Sequence, residues 1–160
     1  MNAPRGGQPE LEVLHRAPAN GTPRRGSPLL FVHGGFAGAW CWDEFFLDWF
    51  ARRGWECHAP SLRGHGASTG REDLHGFGID DYVDDVASVA AAIGCAPILI
   101  GHSMGGFIVQ KYLERGDAAA VVLLAPVPAS GLAGPGTAMA VNNPGLFWDL
   151  GMIHEFGLSL

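Results

Sequence analysis

The sequence predicts an α/β protein with a doubly wound parallel sheet, that is, a sheet covered by helices on both faces. Short runs of consecutive apolar residues, such as 29–32 and 98–100, are typical of strands buried on both faces. Segments with apolar residues at helical spacing separate these runs, and this alternation indicates parallel strands. Because 48% of the 160 residues are hydrophobic, the chain can form one domain with a buried core.

The first part of the chain is predicted to contain three strands and one helix. The strands cover residues 11–15, 29–33 and 55–59. Between the second and third strands, aromatic residues at i, i+3, i+4, i+7 and i+8 predict an amphipathic helix. Its apolar face would carry Trp42, Phe45, Phe46, Trp49 and Phe50. Gly54 follows, at the position expected for a helix C-terminal glycine.

The next region is predicted to be a loop over 60–78 and then a helix closed by Gly94. The apolar face of this helix carries Ile79, Tyr82, Val83, Val86, Val89, Ala90 and Ile93. Its acidic residues are Asp80, Asp81, Asp84 and Asp85. We expect them to face water and complement the positive helix N-terminus rather than hold a metal. A strand over 97–101, a helix after Ser103 and a strand over 121–124 complete the alternation.

Residues 101–105 read Gly-His-Ser-Met-Gly, at the point where a predicted strand meets a predicted helix. In that context, G-x-S-x-G predicts an exposed nucleophilic serine, Ser103, on a sharp turn. We expect a strained backbone at the serine, and side chains at 101 and 105 would collide with neighbouring backbone. A chance match is the alternative because the chain has 24 glycines, but the strand–turn–helix context disfavours it.

A serine nucleophile needs a base for its proton and donors for the oxyanion that its attack creates. The backbone N–H of Met104 is the first predicted donor, because this residue directly follows the serine. The second donor is predicted in the loop after the second strand, at Gly35, with Phe36 as the alternative. We expect His33, which begins that loop, to brace it by hydrogen bonds rather than act as the base.

Three motifs resemble the α/β-hydrolase superfamily in order and spacing: FVHGG at 31–35, PSLRGHGAS at 60–68 and GHSMGG at 101–106. The stretch GAWCW at 38–42 is similar to the branch that holds plant methylesterases and hydroxynitrile lyases. The RGHG loop at 63–66 also occurs in monoglyceride-lipase-like and haloperoxidase-like members. The resemblance covers residues from about 29 to 126 and implies an α/β-hydrolase-type, mostly parallel sheet. It also implies that Arg63 and His65 brace a loop near the site mouth.

In that family a catalytic acid and a histidine follow the serine in the chain. Residues 125–160 contain no further pair of predicted strands, so the resemblance implies an N-terminal half, with the sheet truncated after the strand over 121–124. The catalytic acid and histidine would then lie outside this chain, and the last strand would be an exposed edge. Asp149, His154 and Glu155 do not stand at strand ends, which disfavours a local triad.

The predicted organisation is an N-terminal extension with a candidate first strand over 1–28, a hydrolase core over 29–127 and the start of a lid over 128–160. The predicted function is that of a serine hydrolase, without metal or organic cofactor, acting on a carboxylic ester or related acyl substrate. Phe36, Trp40 and Phe107 are candidates for lining an acyl pocket, with ordinary core positions as the alternative. Carbon–carbon hydrolysis, hydroxynitrile lysis, perhydrolysis and non-catalytic ligand binding remain open because fold does not fix chemistry.

Charge and composition restrict the partners. The net charge of −6 argues against nucleic acid, and the longest apolar run, 118–126, is too short to cross a bilayer. The expected partners are a small acyl substrate and, for the missing half, a complementing chain or a second copy. Residues 1–28 have no apolar signal-peptide core, and three cysteines without metal-ligand spacing suit a cytoplasmic protein. We expect all three, Cys41, Cys57 and Cys95, to be small buried residues.

Overall fold

The computed structural model describes residues 9–131, 133–145 and 148. Contacts divide the chain into two units, Met1–Pro126 and Val127–Leu160. The strands of the first unit are β1 (Val13–Arg16), β2 (Leu29–Val32), β3 (Cys57–Pro60), β4 (Ile98–His102) and β5 (Ala120–Leu124). Its α-helices are α1 (Trp40–Trp42), α2 (Asp48–Ala51), α3 (Ile79–Ile93) and α4 (Met104–Tyr112). A π-helical turn (Asp43–Leu47) joins α1 to α2, and a 3₁₀ helix (Arg71–Gly76) precedes α3. The second unit contains α5 (Ala133–Asn142).

The five strands form one sheet in the order β1-β3-β2-β4-β5. The β1 strand runs antiparallel to β3, and every other neighbouring pair is parallel. All four residues of β2 are buried, because this strand has a neighbour on each side and packed side chains on each face. The predicted α/β class with a mostly parallel sheet is therefore confirmed.

Side chains pack against both faces of the sheet, as the continuous apolar runs of the strands predict. On one face, Leu30 and Val32 of β2 contact a cluster that includes buried residues of α3 and α4. On the other face, Leu29 and Phe31 belong to a second cluster with Trp42 and Leu47 and with Ala39, Cys57, Ala59 and Ile100. Alternate residues of one strand thus contribute to two cores.

The α3 helix begins and ends where the sequence predicts, and its C-terminal Gly94 has a φ of +80°. Its predicted apolar face is confirmed by the buried side chains of Tyr82, Val83, Val86, Val89 and Ala90. Asp81 Oδ2 accepts a 2.8 Å hydrogen bond from the Gly78 N–H, which stabilises the start of the helix. The prediction that all four acidic residues face water is wrong for Asp85, which is only 1% exposed.

Asp85 is buried because it binds the loop that follows β3. The backbone N–H of Arg63 donates to Asp85 Oδ2 at 2.8 Å. The Nε and Nη2 atoms of Arg63 donate to Oδ1 at 2.9 and 2.7 Å. Arg63 Nη1 also donates to Asp81 Oδ1 at 3.2 Å. This charge pair holds the loop against α3. The sequence does not predict the pair, because Arg63 and Asp85 are 22 positions apart and meet only in the folded protein.

The predicted aromatic face of the helical segment 40–51 is wrong for three of its five residues, which are exposed, whereas Phe50 packs against the second core cluster. Trp42 is buried, but Phe45 and Trp49 are 69% and 49% exposed. Leu47 and Ala51 are buried in their place. The reason is the π-helical turn, which has more residues per turn than an α-helix and moves the next inward position from i+4 to i+5.

The β5 strand is an exposed edge, as the sequence predicts. It pairs with β4, and all five of its residues are exposed, Val121–Leu124 at 37–43%. These four residues alternate between the two faces, so apolar surface is open on both sides of the strand. Such an edge is an association-prone surface in water.

The three cysteines differ in burial, in contrast to the sequence prediction. The three cysteines are free, but only Cys57 is fully buried. The prediction of burial is wrong for Cys95, which is exposed directly after the glycine that ends α3. Within the described residues, no helix has the length and apolar character needed to cross a membrane.

We predict that Asp85→Ala destabilises the protein by about 2–3 kcal/mol, because it removes the buried carboxylate that accepts three hydrogen bonds from Arg63 and leaves this guanidinium with Asp81 alone. Asp84→Ala is the matched control, since Asp84 is exposed and pairs with the exposed Arg115. We expect the control to cost at most about 1 kcal/mol. Urea unfolding followed by circular dichroism measures both, and equal losses for the two variants would contradict a structural role for the buried pair.

Candidate active site

The candidate site is built on a strained turn between β4 and α4. Ser103 occupies this turn with φ +53° and ψ −118°, a conformation that costs a non-glycine residue about 1–3 kcal/mol. Its N–H donates to the carbonyl of Leu124 at 3.0 Å. Its own carbonyl accepts from Gly106 N–H at 3.0 Å and from Phe107 N–H at 3.3 Å. Bonds on both sides of the residue thus hold the strained conformation that the sequence predicts.

Glycines allow the N-terminal turn of α4 to lie directly against the end of β2. A Cβ atom on Gly105 would overlap the carbonyl oxygens of Val32 and His33. A Cβ atom on Gly101 would lie 2.6 Å from the Gly105 carbonyl oxygen. The backbones therefore meet without intervening side chains, which explains both outer positions of the G-x-S-x-G pattern.

The loop after β2 lies beside the serine. A Cβ atom on Gly34 would lie 3.1 Å from Ser103 Cβ, so the two backbones are close neighbours. The loop then turns at Phe36, which has a positive φ of 61°. Between them, Gly35 has open space where a side chain would project. The structure therefore brings the loop that holds both predicted candidates for the second donor next to the turn that holds Ser103.

His33 braces this loop with both ring nitrogens. Its Nε2 accepts a 3.0 Å hydrogen bond from the N–H of Leu62, so the proton of the neutral ring is on Nδ1. Nδ1–H then donates to the Gly34 carbonyl at 2.7 Å. Burial lowers the pKa of His33 to about 4, so the ring is neutral at pH 7. The bracing role is confirmed, and neither nitrogen is available to take a proton from Ser103.

A polar network that the sequence analysis missed joins three segments around the site. Ser61 Oγ accepts from the N–H of Ala39 at 2.9 Å and donates to Glu12 Oε2 at 2.5 Å. Glu12 Oε2 also accepts from the N–H of Ala67 at 3.1 Å. The network ties the loops after β2 and β3 to the residue just before β1. The only sequence signal for this network is that Ser61 lies in the motif at 60–68. No feature of the sequence predicts that Ser61 contacts Glu12.

The three aromatic candidates for an acyl pocket differ in burial. Phe36 is 73% exposed and Trp40 is 61% exposed, whereas Phe107 is partly buried on α4. The alternative of ordinary core positions is therefore wrong for Phe36 and Trp40. Met104 is partly buried at the start of α4.

The other histidine of the motif loop also has a structural position. His65 Nδ1 lies 3.0 Å from the Arg63 carbonyl, and its ring packs against His33 and Tyr82 at centroid distances of 5.2 and 5.8 Å. In the part of the chain that the structure describes, no side chain is hydrogen-bonded to Ser103 Oγ. Asp149, His154 and Glu155 lie outside the described residues.

Comparisons with known proteins agree with this geometry. A model of the alpha/beta hydrolase family matches residues 29–158, and the chain belongs to this family. The resemblance inferred from the three motifs is thereby confirmed. The non-heme haloperoxidase of Rhodococcus erythropolis is 36% identical over 107 residues, which cover 64% of this chain and 38% of that protein. The bifunctional esterase/perhydrolase of Acinetobacter calcoaceticus is 37% identical over 109 residues, covering 65% and 38%.

A solved structure supports the fold independently. The monoacylglycerol lipase of Paleococcus ferrophilus superposes with a TM-score of 0.60 at 23% identity, covering 85% of this chain and 53% of the lipase. The matched regions span about 40% of the length of the two curated relatives. The shared architecture is therefore that of a mostly parallel α/β-hydrolase sheet over part of the family fold.

We predict that Gly105→Ala destabilises the protein by more than about 3 kcal/mol, because the added methyl group would overlap two backbone oxygens that cannot move independently of β2. Gly26→Ala is the control, since a Cβ there has no neighbour within 4 Å. Chemical unfolding of both variants tests the prediction. A Gly105→Ala protein as stable as the control would show that the close approach is not required.

We predict that the free energy of unfolding depends on pH through His33. The folded pKa of His33, about 4, lies below the unfolded value of 6.5, so the unfolded chain binds the additional proton between these values. The contribution to stability, about 3 kcal/mol, is fully present above pH 6.5 and is lost as the pH falls through 4. Urea unfolding from pH 7.5 to 4 measures it in the parent protein and in His33→Gln. The same pH dependence in both proteins would exclude His33 as its source.

Proposed function

We propose that this chain carries the nucleophile and oxyanion-binding half of a serine hydrolase that cleaves carboxylic esters or related acyl substrates. The observation that carries the proposal is the strained, hydrogen-bonded turn that presents Ser103 at the N-terminus of α4, beside the loop after β2. A helix N-terminus has partial positive charge, which favours the alkoxide and oxyanion that develop during acyl transfer.

In this mechanism Ser103 Oγ attacks the substrate carbonyl carbon as its proton moves to a general base. The new carbon–oxygen bond converts the carbonyl oxygen into an oxyanion. Collapse of this intermediate expels the alcohol, which takes up the proton, and leaves an acyl-enzyme on Ser103. Water then attacks the acyl-enzyme and releases the acid. We assign the base and its acidic partner to groups outside the described residues.

The oxyanion is proposed to bind the N–H groups of Met104 and Gly35, with Phe36 as the alternative to Gly35. The hydrogen bonds of residues 9–131 give neither Met104 N–H nor Gly35 N–H a protein acceptor. Both groups flank the place where Gly34 adjoins Ser103. Donors that are already in position need no reorganisation during the reaction, which is the source of their effect on rate.

The proposed substrate has an apolar acyl or alcohol group. Phe36 and Trp40 are large side chains exposed near the loop that holds the predicted donor, and Phe107 lies one helical turn after the serine. Exposed aromatic groups of this kind supply binding energy when a ligand covers them. We propose that these three side chains line an acyl pocket. We also propose that the protein is located in the cytoplasm.

Perhydrolysis is the second candidate, because one relative is a bifunctional esterase/perhydrolase. The acyl-enzyme would be the same. Hydrogen peroxide would replace water in its attack on the acyl carbon, and a percarboxylic acid would be released. Comparison of acid and peracid yields from one ester, with and without peroxide, separates the two activities.

We predict that a fluorophosphonate probe slowly modifies Ser103 of the parent protein, because the proposed oxyanion donors are present while the base is assigned outside the described residues, and that Ser103→Ala is unlabelled. Ser130→Ala, which removes an exposed serine elsewhere, should label and hydrolyse like the parent. Mass spectrometry locates the modified residue. A folded parent protein that stays unlabelled would contradict the proposal and favour the non-catalytic ligand-binding alternative.

A further inference from the structure

A second group of chemically active side chains lies on the part of the sheet where β1 pairs with β3. His15 of β1 is directly opposite His58 of β3 in the strand register. Glu56 precedes His58 by two residues, so its side chain is on the same face of the chain. Three side chains that commonly bind metals therefore converge from two antiparallel segments.

The polar atoms of this group are close together. Glu56 Oε1 lies 3.1 Å from His15 Nε2 and 3.8 Å from His58 Nε2. All three ligand atoms lie within 4.8 Å of one another. A zinc ion with bonds of about 2.0–2.2 Å needs ligand atoms roughly 3.3–3.6 Å apart in tetrahedral geometry. The two separations from Glu56 Oε1 lie on either side of this range, and the two histidine rings stack with their centroids 4.7 Å apart, so binding would require rotation of these side chains.

Charge and protonation also suit a cation. A metal-bound imidazole is neutral and uses one ring nitrogen as its ligand atom, and the Glu56 carboxylate supplies a negative charge. Arg24 contacts Glu56 through the other carboxylate oxygen, Oε2, at 3.6 Å. Glu56 Oε1 is therefore the carboxylate oxygen that lies near the two imidazoles, while Oε2 lies near the exposed Arg24.

We propose that His15, Glu56 and His58 bind a divalent transition-metal ion, with Zn²⁺ as the best match to two imidazoles and one carboxylate. Imidazole nitrogen and carboxylate oxygen are ordinary zinc ligands, and a water molecule completes four-coordination. The site is separate from Ser103, and Zn²⁺ binding can be tested without reference to the proposed hydrolase activity. No spacing motif identifies it, because His15 and Glu56 are 41 positions apart.

The bound ion would join β1 to β3 by a cross-link outside the hydrogen bonds of the strand pair. Glu12, just before β1, accepts the hydrogen bond from Ser61 in the network around the candidate active site. Fixing β1 thus fixes the position of that carboxylate. The inferred role of the metal is to stabilise the edge of the sheet and, through it, the loops beside the serine.

The test uses the full chain without an affinity tag, stripped of metal and titrated with Zn²⁺ in a calorimeter at pH 7.5. We expect one ion per chain and, at Zn²⁺ about 100-fold above the Kd, a rise in Tm of about 5–10 °C. His15→Gln, Glu56→Gln and His58→Gln should each weaken binding at least tenfold. His75→Gln, which removes an exposed histidine on the 3₁₀ helix, should bind like the parent.

Two variants distinguish loss of a metal ligand from loss of folding or of charge. His15 is largely exposed, so His15→Gln keeps the test valid even where His58→Gln fails to fold. Arg24→Gln removes a neighbouring positive charge but no ligand, and it should bind Zn²⁺ at least as tightly as the parent. No binding, binding that the three ligand variants leave unchanged, or binding lost only in His75→Gln would each overturn the proposal.

Discussion

The candidate site depends on one close approach between two pieces of backbone. The first turn of α4 lies against the end of β2, and this contact exists because Gly105 has no side chain. The contact fixes the distance between the turn that holds Ser103 and the loop that begins at His33. Any side chain at position 105 would separate the two elements, and the serine and the predicted oxyanion donors would no longer share one site. The strain at Ser103 persists because hydrogen bonds fix its N–H to the Leu124 carbonyl and its carbonyl to the Gly106 and Phe107 N–H groups.

Around this contact the loops are held by directed polar interactions as well as by apolar packing. His33 binds Leu62, Ser61 binds Ala39, and Arg63 binds Asp85, so the loops after β2 and β3 brace each other and α3. These bonds have a defined direction, and each fixes a backbone position more narrowly than apolar contacts do. A site on loops can be rigid when its supporting hydrogen bonds are complete. The family motifs are therefore structural over most of their length.

Much of the fold could be predicted from the sequence because its signals are local. The apolar face of α3, its closing Gly94 and the buried runs of β2 and β4 each follow from side-chain periodicity within one element. The aromatic helix shows the limit of this approach. A π-helical turn changed the period between Trp42 and Leu47, and three of the five aromatic residues that the α-helical period places inward are exposed. Similarly, Asp85 belongs to a group of acidic residues typical of a solvated helix N-terminus. Its burial is explained only by the position of Arg63 in the folded structure.

The sequence by itself determined the fold class, the serine turn and the glycines that allow it, because these are properties of consecutive residues with strict steric needs. The tertiary structure decided which polar groups meet. It placed His33 in a bracing position with a pKa of about 4, joined Glu12 to Ser61, and brought His15 to Glu56 and His58. The physical reason is that hydrogen bonds and ion pairs act over a few ångströms, whereas their partners are separated by tens of residues. Only the packing of strands and loops brings such groups within reach.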